Sequence, residues 1–216
     1  MEQKLEYLTV AKDGLVEIEI KKSRFITHIK RVKTEEEAKD FIAAIKKEHW
    51  RANHNCSAFI LGQNMEIQRS SDDGEPSGTA GLPMLEVLKK QGLIDLVVVV
   101  TRYFGGIKLG AGGLIRAYAG AVSNALEEIG LVKGLLQQEF EVKIPYTSVG
   151  KLQNFIDEEP NYHLLDTIYQ EEVTFLLSTE LNSSQEFQES LIDLLNGKLD
   201  ITEKQVVWTE IEYKKP

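Results

Sequence analysis

The chain has 216 residues, 42% apolar, 27% charged and 8% aromatic, the balance of a globular protein with material for one large or two small cores. No run of about 18 apolar residues exists to span a membrane, and MEQKLEYLTV lacks the basic-then-apolar order of an export signal. The net charge of −9 is unevenly spread: residues 1–133 carry 19 Lys+Arg against 18 Asp+Glu (+1), and residues 134–216 carry 6 against 16 (−10), so a phosphate-bearing partner stays open to the first part through a local basic face.

LVEIEI (15–20) alternates strictly and predicts a strand, and RFITHIKRV (24–32) predicts a second after a basic turn. Thr34 and Glu37 form a capping box, since hydroxyl and carboxylate can each take a free N–H of a first helical turn. Ala38, Phe41, Ile42 and Ile45 give that helix one apolar face. CSAFILG and MEIQRS, parted by Gly-Gln-Asn, predict a hairpin. Pro83 and Gly92 then frame a short helix. LVVVV (96–100) has no polar face and predicts a central strand buried on both sides. After TRYFGGIKLGAGG, the segment LIRAYAGAVSNALEEIG predicts a small-residue-rich helix stopped by Gly130.

LVKGLLQQ reads as a Gly-containing link to a second unit. There EFEVKIPY predicts a strand, TSVGKLQNFIDEE a helix ended before Pro160, YHLLDTIYQ and EVTFLLSTEL two strands, SSQEFQESLIDLLNG a helix and KQVVWTEIEY a last strand. That β-α-β-β-α-β order is the ferredoxin-like split pattern. The expected fold is α+β in two domains, residues 1–133 and 137–216.

Two stretches invite chemistry. In RSSDDGEPSGTAGLP (69–83), Asp72, Asp73 and Glu75 are close enough to share one site, with Arg69 just before them. A calcium loop would need acids at alternate positions with Gly at the sixth, which fails here, whereas a magnesium site needs only one or two carboxylates and stays open. A general acid/base pair would need one carboxyl raised by burial. A polar turn whose carboxylates take loop and helix N–H groups is the alternative. His28, His49, His54 and His163 stand apart in sequence and Cys56 has no second thiol, so neither zinc nor an internal disulfide is expected, and a reducing cytoplasm is. His54 can be a satisfied structural histidine or a site residue.

In RYFGGIKLGAGGLIRAY (102–118), Gly105 to Gly110 has the glycine spacing of a phosphate loop, but Ala111 and Gly112 stand where Lys and Ser/Thr are required. The dinucleotide fingerprint starting at Gly110 ends in Ile115 rather than a small residue. Two general readings remain: Gly105, Gly106, Gly110 and Gly112 make a tight turn and close packing, or they let backbone N–H groups approach an anion at a helix start. Arg102, Lys108 and Arg116 bracket that turn, and a cation directly after a buried strand needs a partner.

ANHNCSAFILG, DDGEPSGTAGLPML and LVVVVTRYFGGIKLGAGGLIRAY, in this order and spacing, resemble the IMPACT family, called the YigZ family in bacteria, over essentially the whole chain. The resemblance implies a first domain with the fold of a ribosomal small-subunit protein domain and of the fourth domain of elongation factor G, and a ferredoxin-like second domain. The family's eukaryotic members restrain a stress kinase of translation initiation with the help of an extra N-terminal RWD domain. This sequence has no room for that domain, so only a tie to translation carries over, and no catalytic residue does. The expected function is a non-enzymatic binding protein that contacts RNA, the ribosome or translation factors through its first domain, without cofactor, metal or membrane. The alternatives are an enzyme using Asp72, Asp73 and Glu75, with Mg²⁺, on a small phosphorylated or peptide-like substrate, and a protein–protein regulator acting through the acidic second domain.

Overall fold

Five consecutive apolar residues can be buried together only when both faces of their strand are covered, and Leu96 to Val100 are so placed. A computed structural model describes residues 4–214; the first three residues of MEQKLEYLTV lie outside them. The strand β6 (Leu96–Tyr103) is the middle one of a five-stranded antiparallel sheet ordered β2 (Gly14–Ile20), β3 (Ser23–Arg31), β6, β4 (His54–Leu61), β5 (Ile67–Ser71). Val97 and Val99 pack with Ala38 and Ile45 of helix α1 (Glu35–Glu48) on one face. Leu96, Val98 and Val100 pack on the other with α2 (Gly81–Lys90) and α3 (Ala111–Ile129), through Met84, Leu88, Ala121 and Val122. The expected capping box is present at the start of α1, with Glu37 N–H donating to Thr34 Oγ1 at 3.1 Å and Thr34 N–H to the Glu37 carboxylate at 3.2 Å.

One strand has no counterpart in the sequence reading: β1 (Glu6–Val10), which pairs with the strand that follows α3 and meets Leu93 through a parallel bridge from Leu8. Two boundaries also move. Helix α3 begins at Ala111 rather than Leu114: Gly112 and Gly113 are poor helix formers that carry no apolar periodicity, so the sequence gives no sign of the first turn. LVKGLLQQ is not a link. It is the first part of one 14-residue strand, β7 (Leu131–Ile144). Residues 134–138 are all buried, so the polar–apolar alternation that marks a strand is absent there. The buried amides are satisfied: Gln137 Oε1 accepts from Ser178 Oγ at 2.9 Å, and Gln138 Nε2 donates to the carbonyl of Lys204 at 3.1 Å.

The described residues divide into two compact units, one of residues 7–133 with 211–214, the other of residues 134–210 with 4–6. In the second, β7 is followed by α4 (Val149–Glu158), β8 (Tyr162–Tyr169), β9 (Val173–Glu180), α5 (Ser184–Leu194) and β10 (Asp200–Tyr213). Strand β7 pairs with β9 and with β10, and β9 with β8, antiparallel where β9 is involved. Both the element order and the central placing of the first and third strands accord with the split β-α-β pattern. Phe140, Val142, Leu152, Phe175, Leu177 and Phe187 form its separate core. The protein is thus a two-domain α+β fold.

Candidate functional site

The acidic loop is a hinge of contacts in which each carboxylate has its own task. Asp72 Oδ1 accepts from the N–H groups of Ala80 (3.0 Å) and Gly81 (2.8 Å), and its Oδ2 from Gly78 (2.8 Å). It thereby caps α2 from outside, where the residue at the cap position, Ala80, has no oxygen to offer. Burial acts to raise the Asp72 pKa, but the bonds from Gly78, Gly81 and Ala80 outweigh it and hold the carboxyl below the usual range. Asp73 pairs with Lys46 at 2.5 Å and accepts the Asn55 N–H at 2.6 Å, which ties the loop to α1 and β4. Only Glu75 turns inward. The three acids do not share one site, and the reason is that the loop's own N–H groups and Lys46 claim the first two.

Glu75 and Arg102 form a buried ion pair of 2.7 Å, with side chains 3% and 7% exposed. The same Glu75 oxygen accepts from the Tyr118 hydroxyl of α3 at 2.8 Å. Burial, and then the neighbouring Cys56 and Glu75, push the Tyr118 phenol far up, so it stays a donor. Burial likewise pushes the Cys56 thiol up to about 12, so it remains a thiol, donating to the Asp72 carbonyl at 3.0 Å. His54 Nδ1 lies 2.9 Å from the Asp73 carbonyl, which can only accept, so Nδ1 carries a proton. Its Nε2 is left 3.8 Å from the second Glu75 oxygen. The Arg102 guanidinium also stands 5.5 Å from the ring centres of both Phe25 and Phe104. Its Nε is buried and has no partner among the described residues.

Above this group opens a cleft of about 370 Å³. Arg102, Glu75, His54, Phe104, Lys108 and the start of α3 at Gly110 and Ala111 line it. The glycines shape the turn between Phe104 and α3. Gly105 must lack a side chain because a Cβ there would meet the Lys22 carbonyl oxygen at 1.9 Å, while Gly106 and Gly110 have φ of +87° and +70°. Gly110 is the residue before the first turn of α3; no side chain caps that turn and no acid lies in it. Arg116 lies one turn further along, its guanidinium close to where a Cβ on Gly112 would sit, at 3.6 Å.

Of the residues singled out in the sequence, His54, Glu75, Arg102, Lys108 and Gly110 therefore line one cleft, and Gly105 and Gly106 make its turn. Arg116 and Gly112 adjoin it on α3. Arg69 does not: it lines a separate groove with Glu35, Lys46 and Phe59, 4.0 Å from the Glu35 carboxylate. Strand alternation sends it to that face. Sequence reading missed Asn53, whose side-chain oxygen accepts the Phe104 N–H at 2.8 Å, and Ser23, which accepts from Gly105 N–H at 3.2 Å. It also missed Tyr118, for which the available signal was a hydroxyl on the otherwise apolar stripe of α3, needing a partner. The histidines are not all apart: the His28 and His49 rings are 5.0 Å from one another across β3 and the end of α1. Among the described residues no group of three His, Cys, Asp or Glu is disposed to hold a metal ion.

Residues 21–126 match the family model of the Impact N-terminal domain, and residues 142–198 that of DUF1949, a domain of unknown function. IMPACT family member YvyE of Bacillus subtilis is 52% identical over 204 residues, 94% of each chain. The chain belongs to the IMPACT family. Family member YigZ of Escherichia coli is 35% identical, over 85% of this chain and 90% of that one. The protein IMPACT homolog of Schizosaccharomyces pombe is 35% identical over 94 residues, 42% of this chain and 33% of the yeast protein. A solved structure described as that of a hypothetical protein has a TM-score of 0.59 and 33% identity, covering 94% of this chain and 99% of its own. Every residue of the cleft, from Ser23 to Tyr118, falls inside the span matched by the IMPACT domain. Among the described residues no helix is long and apolar enough to cross a membrane.

Proposed function

We propose that this IMPACT family protein is a non-enzymatic binding module that contacts RNA, alone or within the ribosome, through the cleft of its N-terminal domain. The observation that carries the reading is the uncapped first turn of α3, with Lys108 and Arg116 beside it and no acid in that turn. Free N–H groups and the helix dipole favour an anion there, and exposed cations add to the attraction. The cleft's one carboxylate, Glu75, is already matched by Arg102 and Tyr118, so it opposes a phosphate less than a free acid would. Asp72 and Asp73 are engaged with backbone N–H groups and Lys46, which leaves the Mg²⁺-dependent alternative without a carboxylate pair facing the cleft. The family's tie to translation points the same way.

Fluorescence anisotropy of labelled single-stranded RNA across a salt series tests this. With Arg102 committed to Glu75, two exposed cations remain, and a slope of about −0.7 per phosphate gives a shallow log–log slope of about −1.4. K108A and R116A should each remove about half of it, equally on unrelated sequences. Absence of binding at low salt would remove the RNA reading.

A further inference from the structure

We propose that the cleft takes one unstacked nucleotide, its base laid on Phe104 and its phosphate at the first turn of α3; the proposal rests on the RNA reading above and names what the site holds.

Phe104 is the first ground. Its backbone is fixed on both sides, by Asn53 Oδ1 on its own N–H and by Ser23 Oγ on that of Gly105, yet the residue is 45% exposed. A large apolar ring held in water by a fixed backbone loses the burial that would otherwise place it. The Arg102 guanidinium, 5.5 Å from the ring centre, backs it from within the protein. An open aromatic supported by a cation is a surface on which any base can stack, because every base has a π face.

The second ground is a donor on the Arg102 side chain. Arg102 is 5% exposed, lines the cleft, and keeps a buried Nε donor with no partner among the described residues. Buried donors are normally matched, so an unmatched one beside the cleft marks a place where an acceptor is missing. The uncapped N–H groups at Gly110 to Gly113 and the Lys108 ammonium supply the phosphate side of the same space. The volume, about 370 Å³, lies at the small end of ligand pockets and suits one nucleotide. A base inside a duplex keeps both faces stacked and cannot lie on Phe104. The site therefore discriminates single strands from duplex, of which a blunt end offers only the terminal pair.

The experiment uses the full chain, a labelled single-stranded RNA, the blunt duplex of the same sequence, and AMP as an isolated nucleotide. Binding is read by anisotropy for wild type, F104A and F104W, and AMP contact by amide shifts. Phe104 is about half open, so F104A should lower the melting temperature by only a few degrees and leave the chain folded under the assay conditions. The single strand should bind more tightly than the duplex, F104A should weaken it about tenfold, and F104W should restore it. The salt slope should stay unchanged in F104A, since a ring carries no charge, and AMP should shift the amides of residues 110–113. Equal affinity for strand and duplex, with F104A like wild type, would overturn the nucleotide site and leave the RNA reading standing. AMP shifts at residues 110–113 without RNA binding would uphold the nucleotide site and remove the RNA reading. Neither AMP nor RNA binding would overturn both.

Discussion

Gly105 and Gly106 are neighbours whose need for glycine has two different physical origins. At Gly105 an added Cβ would press on the backbone of Lys22, at 1.9 Å from its carbonyl oxygen; at Gly106 the space is open but φ is +87°. Alanine at Gly106 meets only the cost of left-handed backbone, about 1–2 kcal/mol. Alanine at Gly105 forces β3's leading turn to move, which places it near the upper end of single-site effects, about 3 kcal/mol. Urea denaturation midpoints at constant slope measure both, and equal losses would refute the distinction. His28 gives the residue-scale prediction in pH. Burial, and then His49, hold its pKa down to about 4 against an unperturbed 6.5, with Glu48 opposing. Between these values the unfolded chain binds a proton that the native state does not. Stability is therefore fully present above about pH 6.5 and falls as pH drops toward 4, by up to about 3 kcal/mol. Urea titrations across that window should show the fall in wild type and a flatter profile in H28Q; identical profiles would mean that another group carries it.

Between elements, the Glu75–Arg102–Tyr118 group joins the loop before α2, the end of β6 and the middle of α3. E75A leaves a buried guanidinium without its counter-charge and should cost about 3–5 kcal/mol, whereas E75L with R102M removes both charges and should recover most of that loss. A double-mutant cycle in urea reads the coupling directly, and additive losses would show that the pair does not act as a unit. How far the sequence revealed this level depends on the kind of signal. The capping box at Thr34 and the doubly buried LVVVV strand were legible because each rests on residues adjacent in the chain. The Arg102–Glu75 pairing was legible only as a need for a partner, since a buried cation must have one. Tyr118 lies 43 residues from Glu75, and nothing local distinguishes its hydroxyl from that of any core tyrosine. The continuation of β7 through LVKGLLQQ was illegible for the opposite reason: burial on both faces erases the alternation by which a strand is read.

At the scale of the whole molecule, the question is whether the acidic C-terminal part is a folding unit or an extension that depends on the rest. We propose that residues 137–216 fold alone. All the residues of the second core, from Phe140 to Leu195, come from within that range, as do both helices and the strands β8, β9 and β10. What the fragment loses is the start of β7, including the buried Leu135 and Leu136, together with residues 4–6 of the same unit. A domain of about 80 residues has little stability to spare, so that loss matters. The fragment should still unfold cooperatively in urea, with a slope below that of the full chain in proportion to the smaller surface exposed. A second fragment, 134–216, restores Gly134, Leu135 and Leu136 and should be the more stable of the two. Cooperative unfolding in 134–216 but not in 137–216 would move the boundary upstream into β7. Failure of both, with a cooperative full chain, would mean that the second core is not sufficient by itself.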